Sequence, residues 1–416
     1  MYLLKIAFRN LFRRKKRTFI ISGLLVIAVI IFLLLESFLF GMFDLAFENI
    51  IDVSTPHLEI AREELIAETE AGEDIPLEET FYPEEELISE VETLEGLQAY
   101  TGLLDFSADF IAGRHEFPVL VRSIEPANFG QVFRNEDYLV AGDFIRDSED
   151  DGVVIGDQLA RFFDLEVGDF YTLRFQDDAG SLNTLQGEVR GIISTPDPEV
   201  NLRTVYIASA QSYLALGIEE DLINRLVIRL DDRHIAADRA EELSLAVQNN
   251  DFTIQSYEDT NEMLVSAYAW NTIEIYFILG LFLLVGIIGI FTAIVLAAIE
   301  RVEEIGMMKA MGLKQSEIIK ILIYEAAGIG LIGSLIGSFI GLLLLIVFNI
   351  YGVSVDLIGM ADIGIFPIEG GRIHGAINLS SFLLIIFLVI LVSIIASIIP
   401  AYWASKKNPA EAIHHK

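Results

Sequence analysis

Apolar residues are gathered into four long runs, about Thr18–Met42, Thr272–Ile299, Ile318–Ile350 and Leu379–Ala404. Each is long enough to cross a hydrocarbon core as a helix, which takes roughly 20 residues. Between the first and second runs the period changes. Phe117–Ile124, Tyr171–Phe175, Glu188–Ile193, Thr204–Ala208 and Arg225–Leu230 alternate as half-buried strands do, and Glu84–Leu97 reads as an exposed helix. From 153 to 175 the order is strand, Gly156-Asp157 turn, helix Gln158–Phe163, Gly168-Asp169 turn, strand. Gly and Asp suit those turns because they tolerate turn backbone angles, and Asp bonds its own backbone. The stretch Glu59–Glu86, rich in Glu and containing Gly72 and Pro76, reads as a mobile loop or a partner-facing flap. The pattern predicts an α-helical membrane protein with four transmembrane helices and a large mixed α+β domain inserted between helices 1 and 2.

The predicted partition is a cytoplasmic amphipathic segment 1–17, helix 1 at 18–43, the inserted domain at 44–270 and helix 2 at 271–299. A cytoplasmic segment 300–317, helix 3 at 318–350, a short outer loop 351–378, helix 4 at 379–404 and a cytoplasmic tail 405–416 complete it. Charge sets the orientation. Lys5, Arg9 and the Arg13, Arg14, Lys15, Lys16, Arg17 cluster place the N-terminus in the cytoplasm, and Lys406, Lys407 and Lys416 place the tail there too. The first run could be mistaken for a secretory signal, but it is too long for one and lacks a small-x-small exit, so it reads as a retained anchor. Residues 44–270 hold 50 Asp and Glu against 13 Arg and no Lys, a net −37, so the rest of this −33 chain carries +4. An acidic, Lys-free domain fits the extracytoplasmic side and argues against nucleic acid as a partner. Before the first run, Leu4, Ile6, Phe8, Leu11 and Phe12 alternate with Lys5, Arg9 and Arg13. That spacing suits a short amphipathic helix in the cytoplasmic interface, and a plain positive flank fits equally.

Candidate chemistry is sparse. There is no cysteine, so neither disulfides nor thiolate metal sites arise. No G-x-x-x-x-G-K-[ST], HExxH or GxSxG occurs, and His57, His115, His234 and His374 stand apart; no catalytic residue, metal site or cofactor is assigned to this chain. A G-x-G-x-x-G at Gly328, Gly330 and Gly333 lies inside a continuous apolar run, where a helix leaves no open N-terminus for pyrophosphate. It reads as helix packing, as does the stripe Gly333, Gly337, Gly341, whose partner lies in this chain or in a second copy. Glu36 and Glu274 fall near the outer ends of the first two runs; they either border a lateral entrance for lipid-linked cargo or snorkel to the interface. Glu325 lies about two turns into the third run.

The segment from Glu300 to Gly312 holds Glu300, Arg301, Glu304 and Lys309 among Ile305, Met308 and Met311 at helical spacing, with Gly312 placed as a C-cap. It predicts a short amphipathic helix showing an adaptable, Met-rich edge to a cytoplasmic partner, or one packed on its own spans. The pattern Glu300-Arg-x-x-Glu304-Ile-Gly306-x-x-Lys-Ala310-x-Gly312, with the glycine stripe and the closing Pro400-Ala401-x-x-Ala404-Ser405-x-x-x-Pro409-Ala410-Glu411-Ala412-Ile413, resembles the FtsX-type permease domain of ABC transporters. Val153-Val-Ile-Gly156-Asp-x-Leu-Ala160 with Leu165-x-Val-Gly168-Asp169 is similar to the extracytoplasmic core of MacB-type proteins. The opening Asn10-Leu-Phe-Arg13-Arg-Lys-Lys-Arg17-Thr18 also fits. Gly41-Met42, Asn49 and His57-Leu58-x-Ile60 are closest to lipoprotein-release (LolC/LolE-like) permeases.

The resemblance implies a mechanotransmitter without an enzyme site of its own in the cytoplasmic (inner) membrane. A separate ABC ATPase dimer would bind ATP and Mg, and this chain would pair with a second permease, identical or different. The 300–312 helix would dock in the ATPase as a coupling helix. The cargo implied is a lipoprotein drawn from the outer leaflet and passed to a periplasmic carrier. MacB-like export of peptides, toxins or drugs through an adaptor, and FtsX-like regulation of a cell-wall hydrolase, are the alternatives.

Overall fold

The computed structural model describes residues 2–13, 15–66, 75, 79–148, 150–176, 180–247, 251–300, 305, 307–309, 311–354 and 372–406. They fall into two compact units, one drawn from 1–43, 267–354 and 372–416, the other from 44–266.

Four helices among the described residues are long and apolar enough to cross a membrane: Lys15–Val53, Glu262–Glu300, Gln315–Tyr351 and Leu379–Lys406. The first two run 39 residues each, about 58 Å at 1.5 Å per residue. Both continue past the apolar runs read from the sequence, because helix propagation needs a backbone bond per residue and not an apolar side chain. In the helical unit a core of Leu25, Val29, Phe32, Leu33, Ile329, Leu345, Ile385 and Val389 is closed among these helices. Outward-facing Leu, Ile and Phe such as Phe277, Leu284, Phe339 and Phe387 remain exposed, as a membrane-embedded surface requires. A further helix, Tyr2–Arg13, precedes them.

Among the described residues the α/β unit is built on ten strands: β1 Leu58–Arg62, β2 Leu97–Ala112, β3 His115–Ile124, β4 Leu139–Gly142, β5 Val153–Gly156, β6 Phe170–Gln176, β7 Leu182–Ile193, β8 Thr204–Ala208, β9 Arg225–Leu230 and β10 Phe252–Ser256. Their order is β10-β1-β9-β2-β3-β8-β5-β7-β4, with β6 pairing β2 and β7. That last strand closes β2, β3, β8, β5, β7 and β6 into a ring of ladders. Inside it, alternate residues converge: Phe106 and Phe110 of β2, Val119 and Val121 of β3, Val205 and Ile207 of β8, and Leu173 and Phe175 of β6. β2 runs 16 residues, and its first part pairs with β9 in the four-stranded flank β10-β1-β9-β2.

The predicted strands and the helix near 158–163 occur. Two expectations are corrected. The stretch from Glu59 does not begin as a loop: Leu58–Arg62 is a buried strand between β9 and β10, because Leu58, Ile60 and Ala61 are apolar and Glu59 finds an arginine. Residues 67–74 and 76–78 of that stretch lie outside the described residues. The helix expected over Glu84–Leu97 stops at Glu92, where Gly96 in the left-handed region turns the chain into β2.

Candidate functional site

Between the second and third apolar helices, Ile305 and Met307–Lys309 are helical. The turn ends in a Schellman motif: the Leu313 N–H donates to the Met308 carbonyl (3.1 Å), the Gly312 N–H to that of Lys309 (2.9 Å), and Gly312 has φ +94°. Lys314 then opens the next helix, its N–H donating to the Glu317 carboxylate at 2.8 Å. Ile305 is buried against Ile318 and Leu322 of the third helix and Ala401 and Ala404 of the fourth, with Met308 and Leu313 packed on the same cluster. The edge named from sequence is therefore split. Ile305 and Met308 turn inward, while Met311 faces out together with Met307, which the sequence reading passed over. Lys309 is half-buried and Glu300 ends its helix; Arg301 and Glu304 lie outside the described residues.

The glycine stripe meets the first apolar helix of this same chain. A Cβ placed on Gly333 would lie 3.0 Å from Leu25 Cβ, one on Gly337 2.8 Å from Val29 Cβ, and one on Gly341 2.8 Å from Leu33 Cδ1. Gly330, on the other side, faces Ser393 of the fourth helix. Glu36 is buried, and the Ser381 hydroxyl of the fourth helix donates to it at 2.6 Å. Glu274 faces outward on the second helix, so no polar contact joins the two glutamates. Glu325 is buried, with a partner.

In the α/β unit a cleft of about 1060 Å³ is lined by residues of β2 and β3, among them Asp105, Asp109 and Arg122. Its floor is a buried ionic network. Arg122 donates twice to Asp105, its cross-strand partner, at 3.0 and 2.8 Å, and once to the Ser54 carbonyl. Arg225 pairs with Glu59 and lies 3.5 Å from Asp105. Burial alone would pull the Arg122 guanidinium down; Asp105 and its neighbours more than reverse that and hold it above the ordinary arginine value. Asn224 closes the network, bonding both backbone groups of Asp105 at 2.9 and 2.7 Å. Nearby, His57 is 5% exposed and its Nδ1 accepts the Leu230 N–H at 2.7 Å, which requires an unprotonated Nδ1. Burial, then the charges of Arg229 and Arg233, push its pKa down to about 4. Among the described residues no group of His, Asp or Glu is arranged to hold a metal ion.

Residues 276–409 match the family described as FtsX-like permease C-terminal. Over those residues, about a third of the chain, the sequence is similar to FtsX-like permeases. An ABC transporter permease, YtrF, of Bacillus subtilis is 32% identical over 180 residues, 40% of this chain and 39% of that protein, so the match spans well under half of that relative. The lipoprotein-releasing system transmembrane protein LolC of Xylella fastidiosa is 21% identical over 322 residues, 74% of this chain and 76% of its own length. The periplasmic region of MacB from Actinobacillus actinomycetemcomitans aligns with a TM-score of 0.34 and 16% identity, over 53% of this chain and 96% of that one.

The matched segment takes in the 305–313 turn, the glycine stripe and Ser381. Sequence reasoning named the turn and the stripe, because both carry a period. Met307 escaped it, since which edge of this turn faces out depends on what Ile305 packs against. The Arg122–Asp105 pair left no signal, because its 17-residue separation becomes contact only through the β2–β3 register.

Proposed function

We propose that this chain is a permease subunit of an ABC transporter and works as a mechanotransmitter, drawing lipoproteins from the outer leaflet of the cytoplasmic membrane. The observation that carries this reading is the turn at 305–313. Ile305 and Met308 fasten it to the third and fourth apolar helices, and Met307 and Met311 stand free for a partner. A push on the exposed methionines is thereby delivered to two membrane helices through a packed contact, which transmits strain because interiors are dense. The partner in this reading is a separate ATPase dimer that binds ATP and Mg, and the chain acts beside a second permease. With the basic clusters inside, both termini are cytoplasmic and the acidic α/β unit is extracytoplasmic. Similarity to LolC along three quarters of the chain supports lipoprotein as cargo, with a periplasmic carrier or adaptor as receiver.

The test replaces Met307 and Met311 by Asp. Burying two carboxylates in a methionine-seated contact costs at least about 2 kcal/mol, roughly thirtyfold in affinity. Co-purification with the ATPase and permease-stimulated hydrolysis are expected to fall together. Unchanged binding and stimulation would refute the coupling role. For the cargo, complexes drawn from native membranes are expected to hold acylated proteins by mass spectrometry; an export adaptor or a cell-wall hydrolase in their place would refute lipoprotein release.

A further inference from the structure

The N-terminal helix Tyr2–Arg13 has two opposed faces. Ala7 and Leu11, one turn apart, are buried, and Leu11 seats in the gap left by Gly328, where an added Cβ would come within 2.5 Å of its Cδ1. The Thr18 hydroxyl donates to the Leu11 carbonyl at 3.1 Å and ties this helix to the first apolar helix. At about 100° per residue, Lys5, Arg9 and Arg13 form one stripe on the side away from Ala7 and Leu11. All three are exposed, and Lys5 and Arg9 make no ion pair with any described residue. Residues 1–17 contain seven Lys and Arg and no Asp or Glu.

Height along the bundle decides what this stripe meets. Gly328 lies one turn beyond Glu325, the last charged residue before an uncharged stretch reaching Val355. Leu11 therefore touches the third apolar helix where the hydrocarbon begins, at the depth of headgroup phosphates. A basic stripe at that depth, pointing away from the protein, faces lipid. We propose that Tyr2–Arg13 is a binding element for anionic phospholipid, with Lys5 and Arg9 holding headgroup phosphates at the rim of the helical unit. The proposal concerns lipid rather than cargo or ATPase and does not depend on the transport reading.

Each basic residue beside an anionic surface is worth roughly fivefold, so the pair gives up to roughly 25-fold local enrichment. The chain has no cysteine, and Tyr2 is 73% exposed, so Tyr2→Cys provides a single labelling point for a fluorophore. The labelled full chain is reconstituted in vesicles of equal parts phosphatidylcholine and phosphatidylglycerol, with bromine carried by one lipid or the other. Quenching is expected to be severalfold stronger from brominated phosphatidylglycerol. It is expected to even out when salt rises from about 0.01 to about 1 M, which shrinks the Debye length from about 30 to about 3 Å. Lys5→Gln with Arg9→Gln is expected to abolish the preference at an unchanged melting temperature, and Lys5→Arg with Arg9→Lys to keep it. Equal quenching by both lipids, or a preference that survives the double Gln variant, would overturn the proposal. So would a stripe that shows no lipid preference yet is shielded when the ATPase is added.

Discussion

Lowering the pH is expected to unfasten the α/β unit at His57. Its Nδ1 accepts the Leu230 N–H of β9 at 2.7 Å, and its carbonyl accepts the Tyr257 N–H beyond β10 at 3.0 Å, so the residue ties two strand ends together. The folded pKa of about 4 lies below the ordinary histidine value of 6.5. Above the unfolded pKa both states hold neutral imidazole and the contribution is complete. As pH falls between the two values, the unfolded chain binds a proton that the folded one refuses, and stability drops by up to about 1.4 kcal/mol per unit. The whole shift is worth about 3 kcal/mol, lost as pH falls through the folded pKa. Because pH also acts on the rest of the unit, the comparison is with His57→Asn, whose amide oxygen can accept the same N–H without titrating. The assay is amide exchange at Leu230 and its β9 neighbours in the full chain in micelles, corrected for intrinsic rates. Between about pH 7.5 and about pH 4.5 the native protein is expected to lose about 2.5 kcal/mol more opening free energy than the variant. Parallel curves would show that His57 is not held neutral, and would refute the reasoning.

Two further perturbations follow from packing. Asp105→Ala leaves Arg122 without its bidentate carboxylate under nearly complete burial, and a loss of about 3–5 kcal/mol is expected, read as faster proteolysis of the α/β unit. Asp105→Leu combined with Arg122→Met is expected to cost less than that single change, and an equal or greater cost would show that the charges are not what the site demands. Gly337→Ala drives a Cβ to 2.8 Å from Val29 Cβ and 3.1 Å from the Val26 carbonyl oxygen, and is expected to destabilise the helical unit by about 1–3 kcal/mol in thermal unfolding. Gly23→Ala meets nothing within 4 Å and is expected to be neutral or slightly stabilising; a matching loss at both positions would refute close packing as the role of the stripe.

The sequence alone determined the four apolar helices, the inserted α/β unit, six of its strands and the Gly312 helix stop. Each is written locally, as a run length, a period or a residue that tolerates positive φ. Length and period do not say what meets what. The ring closed by β6, the burial of Leu58–Arg62 and the Asp105–Arg122 pair depend on register between strands far apart in sequence. Glu36, read as an outer-rim residue, is buried against Ser381, which stands 345 positions away. The glycine stripe announced a close helix contact, but only packing chose the first apolar helix as its partner. The turn at 305–313 shows the division most clearly: its helical spacing and glycine stop were written in the chain. Its outward edge was decided by Ile305 dropping between the third and fourth helices, which turned Met308 in and left Met307 and Met311 out.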